Sequence, residues 1–88
     1  MQQQEFEIVN KLGLHARASA LFVKTASKFA SEVKLARETV EVNGKSIMGI
    51  MMLAAAKGTK IRLTVEGADE LEAMQTIGTL IRDGFGEE

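Results

Sequence analysis

Several residue types are missing from this 88-residue chain, and each absence excludes a class of site. With no cysteine, the chain can form neither a disulfide nor a thiolate metal site. With a single histidine it cannot form a histidine-rich metal cluster, so we expect no bound metal and no cofactor. Tryptophan and tyrosine are absent and the net charge is −1, which argues against nucleic-acid binding.

Long apolar segments and a targeting segment are also absent. The longest apolar run, residues 47–56, is too short to span a bilayer. Residues 1–5 lack the basic and apolar regions of a signal peptide. We therefore expect a cytoplasmic protein that does not associate with membranes.

Length and composition predict one globular domain, residues 1–88, with 45% hydrophobic and 26% charged residues. The charges are unevenly distributed. Residues 1–64 contain ten Lys or Arg against five Asp or Glu, whereas residues 65–88 contain one Arg against seven acids. The basic part favours acidic partners or phosphate.

The periodicity of apolar residues predicts the elements of the first half. Residues 5–9 alternate as a strand, residues 16–29 have a helical pattern, and two further strands flank a turn at residues 37–39. These two strands are marked by Val33 and Leu35 and by Val40 and Val42. The apolar face of the helix comprises Ala18, Phe22, Thr25 and Phe29.

In the second half, Asn-Gly at residues 43–44 interrupts the chain and Ser46 is a candidate N-cap. The pattern predicts a helix from Ile47 to about Lys57, a strand over residues 61–65 and a last helix that opens at residues 67–70. The predicted buried face of this last helix comprises Leu71, Met74, Gly78, Ile81 and Phe85.

The element order is therefore β-α-β-β-α-β-α. Half-buried strands need their apolar face covered, and three amphipathic helices can cover it from one side. The predicted fold class is α/β (α+β), a two-layer sandwich in which a four-stranded antiparallel sheet carries three helices on one face.

His15 lies between the flexible Gly13 and the first helix, where the amides of Ala16, Arg17 and Ala18 lack helical acceptors. Such a helix start favours anions, and Arg17 adds a positive charge nearby. A neutral imidazole nitrogen there could attack phosphorus while these groups hold the phosphoryl oxygens. The alternative interpretation is a histidine that only caps the helix or lies on the surface.

Residues 13–17, Gly-Leu-His-Ala-Arg, resemble the active-site motif of HPr, the histidine-containing phosphocarrier of the bacterial phosphotransferase system. Residues 45–49, Lys-Ser-Ile-Met-Gly, resemble the family's second signature, around its regulatory serine. The resemblance covers essentially the whole chain. One departure is Ala18, where the family commonly has proline.

The resemblance implies an open-faced β-sandwich and a phosphoryl carrier that is not a free-standing catalyst. Enzyme I, itself phosphorylated from phosphoenolpyruvate, would phosphorylate His15 on Nδ1, and the carrier would pass the group to a IIA protein or domain. His15 and Arg17 would be catalytic, and Ala16 and Arg17 would bind the phosphate. Ser46 would be phosphorylated by HPr kinase/phosphorylase, although it is also explained as a plain N-cap.

A docking surface is predicted beside the histidine. The helix after Ser46 is apolar nearly all round, so part of it should stay exposed. We expect Ile50 and Leu53 in the core, and basic residues of the first helix to form a stripe for an acidic partner. The predicted docking residues are Ala20, Lys24, Lys45, Ile47, Met48 and Met51.

Other functions are weaker. Residues 44–46, Gly-Lys-Ser, mimic the end of a phosphate-binding P-loop, but that motif needs glycine where Thr39 stands. A regulatory docking protein controlled by Ser46 remains an alternative to the carrier, as does a structural α/β domain. We expect a monomer. Whether the chain serves sugar uptake or a regulatory branch stays open.

Overall fold

The computed structural model describes residues 1–87, which form four strands, three α-helices and a final 3₁₀ turn. The sheet order is β1-β4-β2-β3, and every neighbouring pair is antiparallel. The predicted fold and element order are confirmed. The elements are β1 (Gln2–Glu7), α1 (Ala16–Ala26), β2 (Glu32–Arg37), β3 (Val40–Asn43), α2 (Ile47–Met52), β4 (Lys60–Glu66), α3 (Glu70–Arg82) and the 3₁₀ turn (Gly84–Gly86).

Alternation along the strands separates the two faces of the sheet. In β4, Ile61, Leu63 and Val65 are buried, whereas the residues between them are partly or fully exposed. The buried face packs against Phe22 of α1 and Ile77 of α3 in one hydrophobic core. Among residues 1–87, no helix is long and apolar enough to cross a membrane.

The first strand and the first helix are displaced from their predicted bounds. β1 spans Gln2–Glu7 instead of residues 5–9, because pairing with β4 recruits the polar residues that precede Glu5. α1 ends at Ala26 and not at residue 29. Beyond it the amides of Lys28 and Phe29 bond three residues back, to Thr25 and Ala26, so the last turn tightens.

Helix α2 is shorter than predicted, ending at Met52 rather than near Lys57. Ala54 follows with a φ of 49°, a left-handed conformation that stops the helix without a glycine. Arg37 Nη1 donates to the carbonyl oxygens of Leu53 and Ala54 at 3.1 and 3.0 Å. The end of α2 is thus satisfied by a side chain from the β2–β3 hairpin, a contact that local sequence does not reveal.

Helix α3 differs from its prediction at two positions. Leu71 was predicted to be buried but is 64% exposed; it lies in the first turn of α3, and the buried residues of the helix begin at Ala73. Phe85 is buried as predicted but lies beyond the helix, with a φ of 59° in the 3₁₀ turn. Met74, Gly78 and Ile81 are buried as predicted.

Candidate functional site

The loop between β1 and α1 carries His15 and is fixed against the chain that follows α2. Gly13 has a φ of 66°, and a Cβ at this position would lie 2.4 Å from the Ala55 carbonyl oxygen. The Leu14 amide donates to that same oxygen at 2.9 Å, and the Leu14 side chain is buried. Glycine is therefore required at the first position of the motif, since a side chain would push the two segments apart.

His15 is the N-cap residue of α1. Its backbone is extended, and its carbonyl oxygen accepts the first helical hydrogen bond, from the Ser19 amide at 2.9 Å. Its imidazole makes no capping hydrogen bond to the helix. The amides of Ala16, Arg17 and Ala18 lie in the first turn, where an α-helix offers no acceptor. The predicted anion-favouring helix start is thus present in the geometry.

His15 and its loop are contacted by two residues, Glu87 and Asn10, that the sequence analysis did not predict. His15 Nε2 lies 2.5 Å from Glu87 Oε2, and the other carboxylate oxygen of Glu87 accepts a hydrogen bond from Asn10 Nδ2 at 2.9 Å. Asn10 is buried and also donates to the Gly13 carbonyl oxygen at 2.8 Å. Glu87 is 72 residues from His15 in sequence, and no spacing or motif could have linked them.

The hydrogen bond from Asn10 is the main reason why the pKa of Glu87 lies below its ordinary value. The hydrogen bond and charge of His15, together with the charge of Arg17, act in the same direction. Burial opposes them and raises the pKa. The net result favours an ionised carboxylate next to the imidazole.

His15 and Arg17 line one surface depression, whose walls are completed by Lys11, Leu12, Gly86 and Glu87. The depression is open to solvent and holds two cationic side chains near the start of α1. Positive charge at a helix start favours an anionic group, although the Glu87 carboxylate also lines this depression. Among residues 1–87, no three His, Asp or Glu side chains are grouped so that they could hold a metal ion.

The second sequence signature lies at the start of α2. Ser46 is the N-cap residue of this helix, and its Oγ accepts a hydrogen bond from the Gly49 amide at 3.1 Å, so the capping prediction is confirmed. The neighbouring Lys45 points its ammonium at the Phe29 carbonyl oxygen, 2.8 Å away. Lys45 was predicted as a docking residue, and this bond gives it a structural role after the end of α1.

These contacts show how α1 and α2 are arranged. The start of α2 lies beside the end of α1, through Lys45 and Phe29. The chain after α2 returns to the start of α1, through Ala55 and Leu14. The two helices therefore run antiparallel. Since α1 has 11 residues, its two ends lie about 16 Å apart along the helix axis.

The apolar residues of α2 that were predicted to form a docking surface are exposed. Met48 is 76% exposed, and Ile47 and Met51 are each more than 40% exposed, while Ile50 and Leu53 are buried. Met52 is 74% exposed and was not predicted as part of this surface. Ala20 and Lys24 are exposed on α1. Helix α2 packs against α1, so both helices contribute to one side of the molecule.

Comparison with known proteins shows which family this chain resembles. The family described as PTS HPr component phosphorylation site matches residues 2–83. The chain belongs to the HPr family. The phosphocarrier protein HPr of Neisseria meningitidis is 61% identical over 87 residues, which cover 99% of this chain and 98% of that protein. The chain is thus a phosphocarrier of the phosphotransferase system.

Solved HPr structures have the same fold. The crystal structure of HPr from Thermoanaerobacter tengcongensis superposes with a TM-score of 0.96 at 50% identity, covering 100% of this chain and 99% of that chain. An HPr dimer from the same organism superposes with a TM-score of 0.79 at 49% identity, covering 99% of this chain and all of that one. The open-faced sandwich inferred from the HPr resemblance is confirmed by these neighbours.

Proposed function

We propose that this HPr-family chain accepts a phosphoryl group on His15 from enzyme I and donates it to a IIA protein or domain, as a cytoplasmic carrier. The observation that carries the proposal is the meeting of His15 and Arg17 in one depression at the start of α1. No second nucleophile or base is needed, because phosphoryl transfer depends mainly on positioning and on stabilisation of charge.

In the proposed transfer, a ring nitrogen of His15 forms a bond to phosphorus while the bond from phosphorus to the donor breaks. The donor atom keeps the electron pair of that bond. Arg17 and the first amides of α1, including that of Ala16, hold the phosphoryl oxygens. The depression is shallow and open, so the transfer site is completed by the surface of each partner.

The experiment is intact mass spectrometry after incubation with enzyme I and phosphoenolpyruvate. Wild type should gain the mass of one phosphoryl group, and the gain should disappear in acid because phosphohistidine is acid-labile. His15→Ala should gain nothing while keeping its circular dichroism spectrum. If wild type gains no mass from an enzyme I that phosphorylates another HPr, the carrier proposal is wrong.

The docking role follows from the exposed apolar residues of α2 and the basic residues of α1. Ile47, Met48 and Met51 would bury against the partner, and Lys24 would orient an acidic partner surface. Ala20 lies on the same helix as Lys24 and leaves room for close approach. The monomeric state stays a prediction, since a related HPr has been solved as a dimer, and sedimentation of the purified chain would decide it.

A second function, regulation at Ser46 by HPr kinase/phosphorylase, is supported by the half-exposed position of this residue at the start of α2. A phosphate there would add about two negative charges at a helix N-terminus, which tolerates them. Because His15 lies at the far end of α1, the added charge would act on partner docking and not on the imidazole itself.

A matched pair of variants tests this regulation. Ser46→Asp and Ser46→Asn both keep a good N-cap, but only the first adds a charge. We expect Ser46→Asp to slow phosphoryl transfer from enzyme I through a higher KM, while Ser46→Asn transfers like wild type. Equal slowing in both variants would mean that the added negative charge is not the cause, and it would contradict regulation by phosphate charge at Ser46.

A further inference from the structure

His15 also contacts a carboxylate that takes no part in the proposed transfer. Glu87, the residue after the 3₁₀ turn, places Oε2 2.5 Å from His15 Nε2. Neither side chain is freely exposed, with 28% of the His15 side chain and 15% of the Glu87 side chain accessible. This is therefore a partly buried contact between two specific atoms.

The chemistry of the two groups determines where the proton lies. An ionised carboxylate can only accept hydrogen bonds, so Nε2 must donate. Glu87 is held in the ionised form by the hydrogen bond from Asn10, which is the main cause of its lowered pKa. In a neutral imidazole with hydrogen on Nε2, the other nitrogen, Nδ1, has no proton and carries a free lone pair.

Glu87 is itself held in place. Its Oε1 accepts from Asn10 Nδ2, and buried Asn10 is fixed in turn by its bond to the Gly13 carbonyl oxygen. The backbone amide of Glu87 donates to the Gly84 carbonyl oxygen at 3.0 Å. The carboxylate is thus oriented by two elements, the loop before α1 and the 3₁₀ turn after α3.

We propose that Glu87 is a positioning residue that holds His15 in the tautomer protonated on Nε2 and so leaves Nδ1 as the phosphoryl acceptor. The proposal rests on the phosphocarrier function proposed above. The Nδ1 lone pair forms the bond to phosphorus, the bond from phosphorus to the donor atom breaks, and that atom keeps the electron pair. The proton stays on Nε2, and the carboxylate stabilises the positive charge that the ring gains.

Among residues 1–87, the other charged side chains that line this depression are Arg17, at the start of α1, and Lys11, in the preceding loop. Neither can replace Glu87, because guanidinium and ammonium groups only donate hydrogen bonds. Glu87 is therefore the group that can select the tautomer, while Arg17 is left for the phosphoryl oxygens.

The test is to compare wild type with Glu87→Gln by the ¹⁵N chemical shifts of the imidazole at alkaline pH. In Glu87→Gln the amide oxygen would still accept from Asn10, so its amide nitrogen would face Nε2 and offer a donor. We expect wild type to show a protonated Nε2 and an unprotonated Nδ1, and the variant to shift towards protonated Nδ1. We expect its phosphorylation rate by enzyme I to fall about tenfold.

Two further variants separate positioning from general effects. Glu87→Asp keeps a carboxylate and should restore part of the wild-type shift pattern and rate. Glu72→Gln removes an exposed negative charge from the first turn of α3 and should match wild type in both measurements.

Measuring the ¹⁵N chemical shifts requires no phosphoryl donor. The measurement therefore tests the role of Glu87 even if the proposed carrier function is wrong. Identical ring shifts in wild type and Glu87→Gln would overturn it, and so would an increased rate in Glu87→Gln, which would make Glu87 a competitor of the phosphoryl group. A normal shift difference without any phosphorylation of wild type would instead contradict the proposed function.

Discussion

At the scale of single residues, Arg17 has the clearest separable role. Its side chain is exposed and lines the depression beside His15, and its charge contributes to lowering the pKa of Glu87. No apolar packing depends on it, since the buried residues of α1 lie at other positions of the helix. A change at Arg17 should therefore alter transfer without altering the fold.

We expect Arg17→Ala to lower the rate of phosphorylation by enzyme I about a hundredfold, the size of effect seen when a preorganised group that stabilises transition-state charge is removed. Rapid-quench measurement of phosphohistidine formation gives this rate. The melting temperature should stay within about a degree or two of wild type, because exposed substitutions have small effects on stability.

Lys60→Ala is the matched control for Arg17→Ala. Lys60 is exposed and adjoins the buried Ile61, so its side chain points to the uncovered face of the sheet. The substitution removes one positive charge from the face of the sheet that the helices leave uncovered, and the variant should transfer phosphoryl at the wild-type rate. If Arg17→Ala and Lys60→Ala lowered the phosphorylation rate equally, Arg17 would act only through the net charge of the molecule and not through its position beside His15.

At the scale of elements, the end of α2 is capped by a side chain from the sheet. Arg37, the last residue of β2, donates to two carbonyl oxygens at the end of the helix. These oxygens have no helical donor, because the chain leaves the helix at Ala54. The same segment then supplies Ala55, whose oxygen holds the loop of His15.

We expect Arg37→Ala to lower the free energy of unfolding by about 2 kcal/mol, the size of a hydrogen-bonded contact to a charged group. Urea denaturation followed by circular dichroism measures it. Arg37→Lys keeps the charge but replaces the planar donor pair by one ammonium, so its loss should be intermediate. A wild-type midpoint for Arg37→Ala would mean that water satisfies these carbonyl groups equally well.

At the scale of the whole molecule, Asp69 connects two loops that are far apart in sequence. Its carboxylate accepts hydrogen bonds from the amides of Ala30 and Ser31, at 2.9 Å each, and from the Ser31 hydroxyl. These bonds tie the α1–β2 connection to the start of α3. The hydrogen bond from the Ser31 hydroxyl is the main reason why the pKa of Asp69 lies below its ordinary value.

The sign of the pH dependence follows from this lowered pKa. A carboxyl group whose pKa is lower in the folded than in the unfolded state stabilises the fold above its unfolded pKa, about 3.9. That contribution is lost as the pH falls through the folded pKa. We expect Asp69→Asn to melt at a lower temperature than wild type at neutral pH, and the difference to shrink below about pH 4.

Differential scanning calorimetry between neutral and acidic pH measures this difference. Glu38→Gln, which removes an exposed carboxylate from the β2–β3 turn, serves as the control and should keep a constant offset from wild type. A difference between Asp69→Asn and wild type that is equally large at acidic and neutral pH would show that the ionised carboxylate is not what joins the two loops.

The sequence by itself determined the element types, the layer arrangement and the positions of His15 and Ser46 at helix starts. Alternation at Ile61, Leu63 and Val65 predicts a half-buried strand because side chains of a strand point to opposite faces. The placement of His15 and Ser46 at helix starts was likewise predictable, because capping depends on neighbours within a few residues. These signals are local, and local signals are what a sequence displays.

The tertiary structure alone decided the ends of the elements and the surroundings of His15. α2 stops at Met52, before a left-handed Ala54, and Arg37 binds the carbonyl groups that follow it. Leu71, in the first turn of α3, is exposed although its apolar spacing predicted burial. The contacts of Glu87 with His15 and Asn10 join residues more than 70 positions apart. Such contacts arise only when the packed sheet and helices bring distant loops together, which no local pattern encodes.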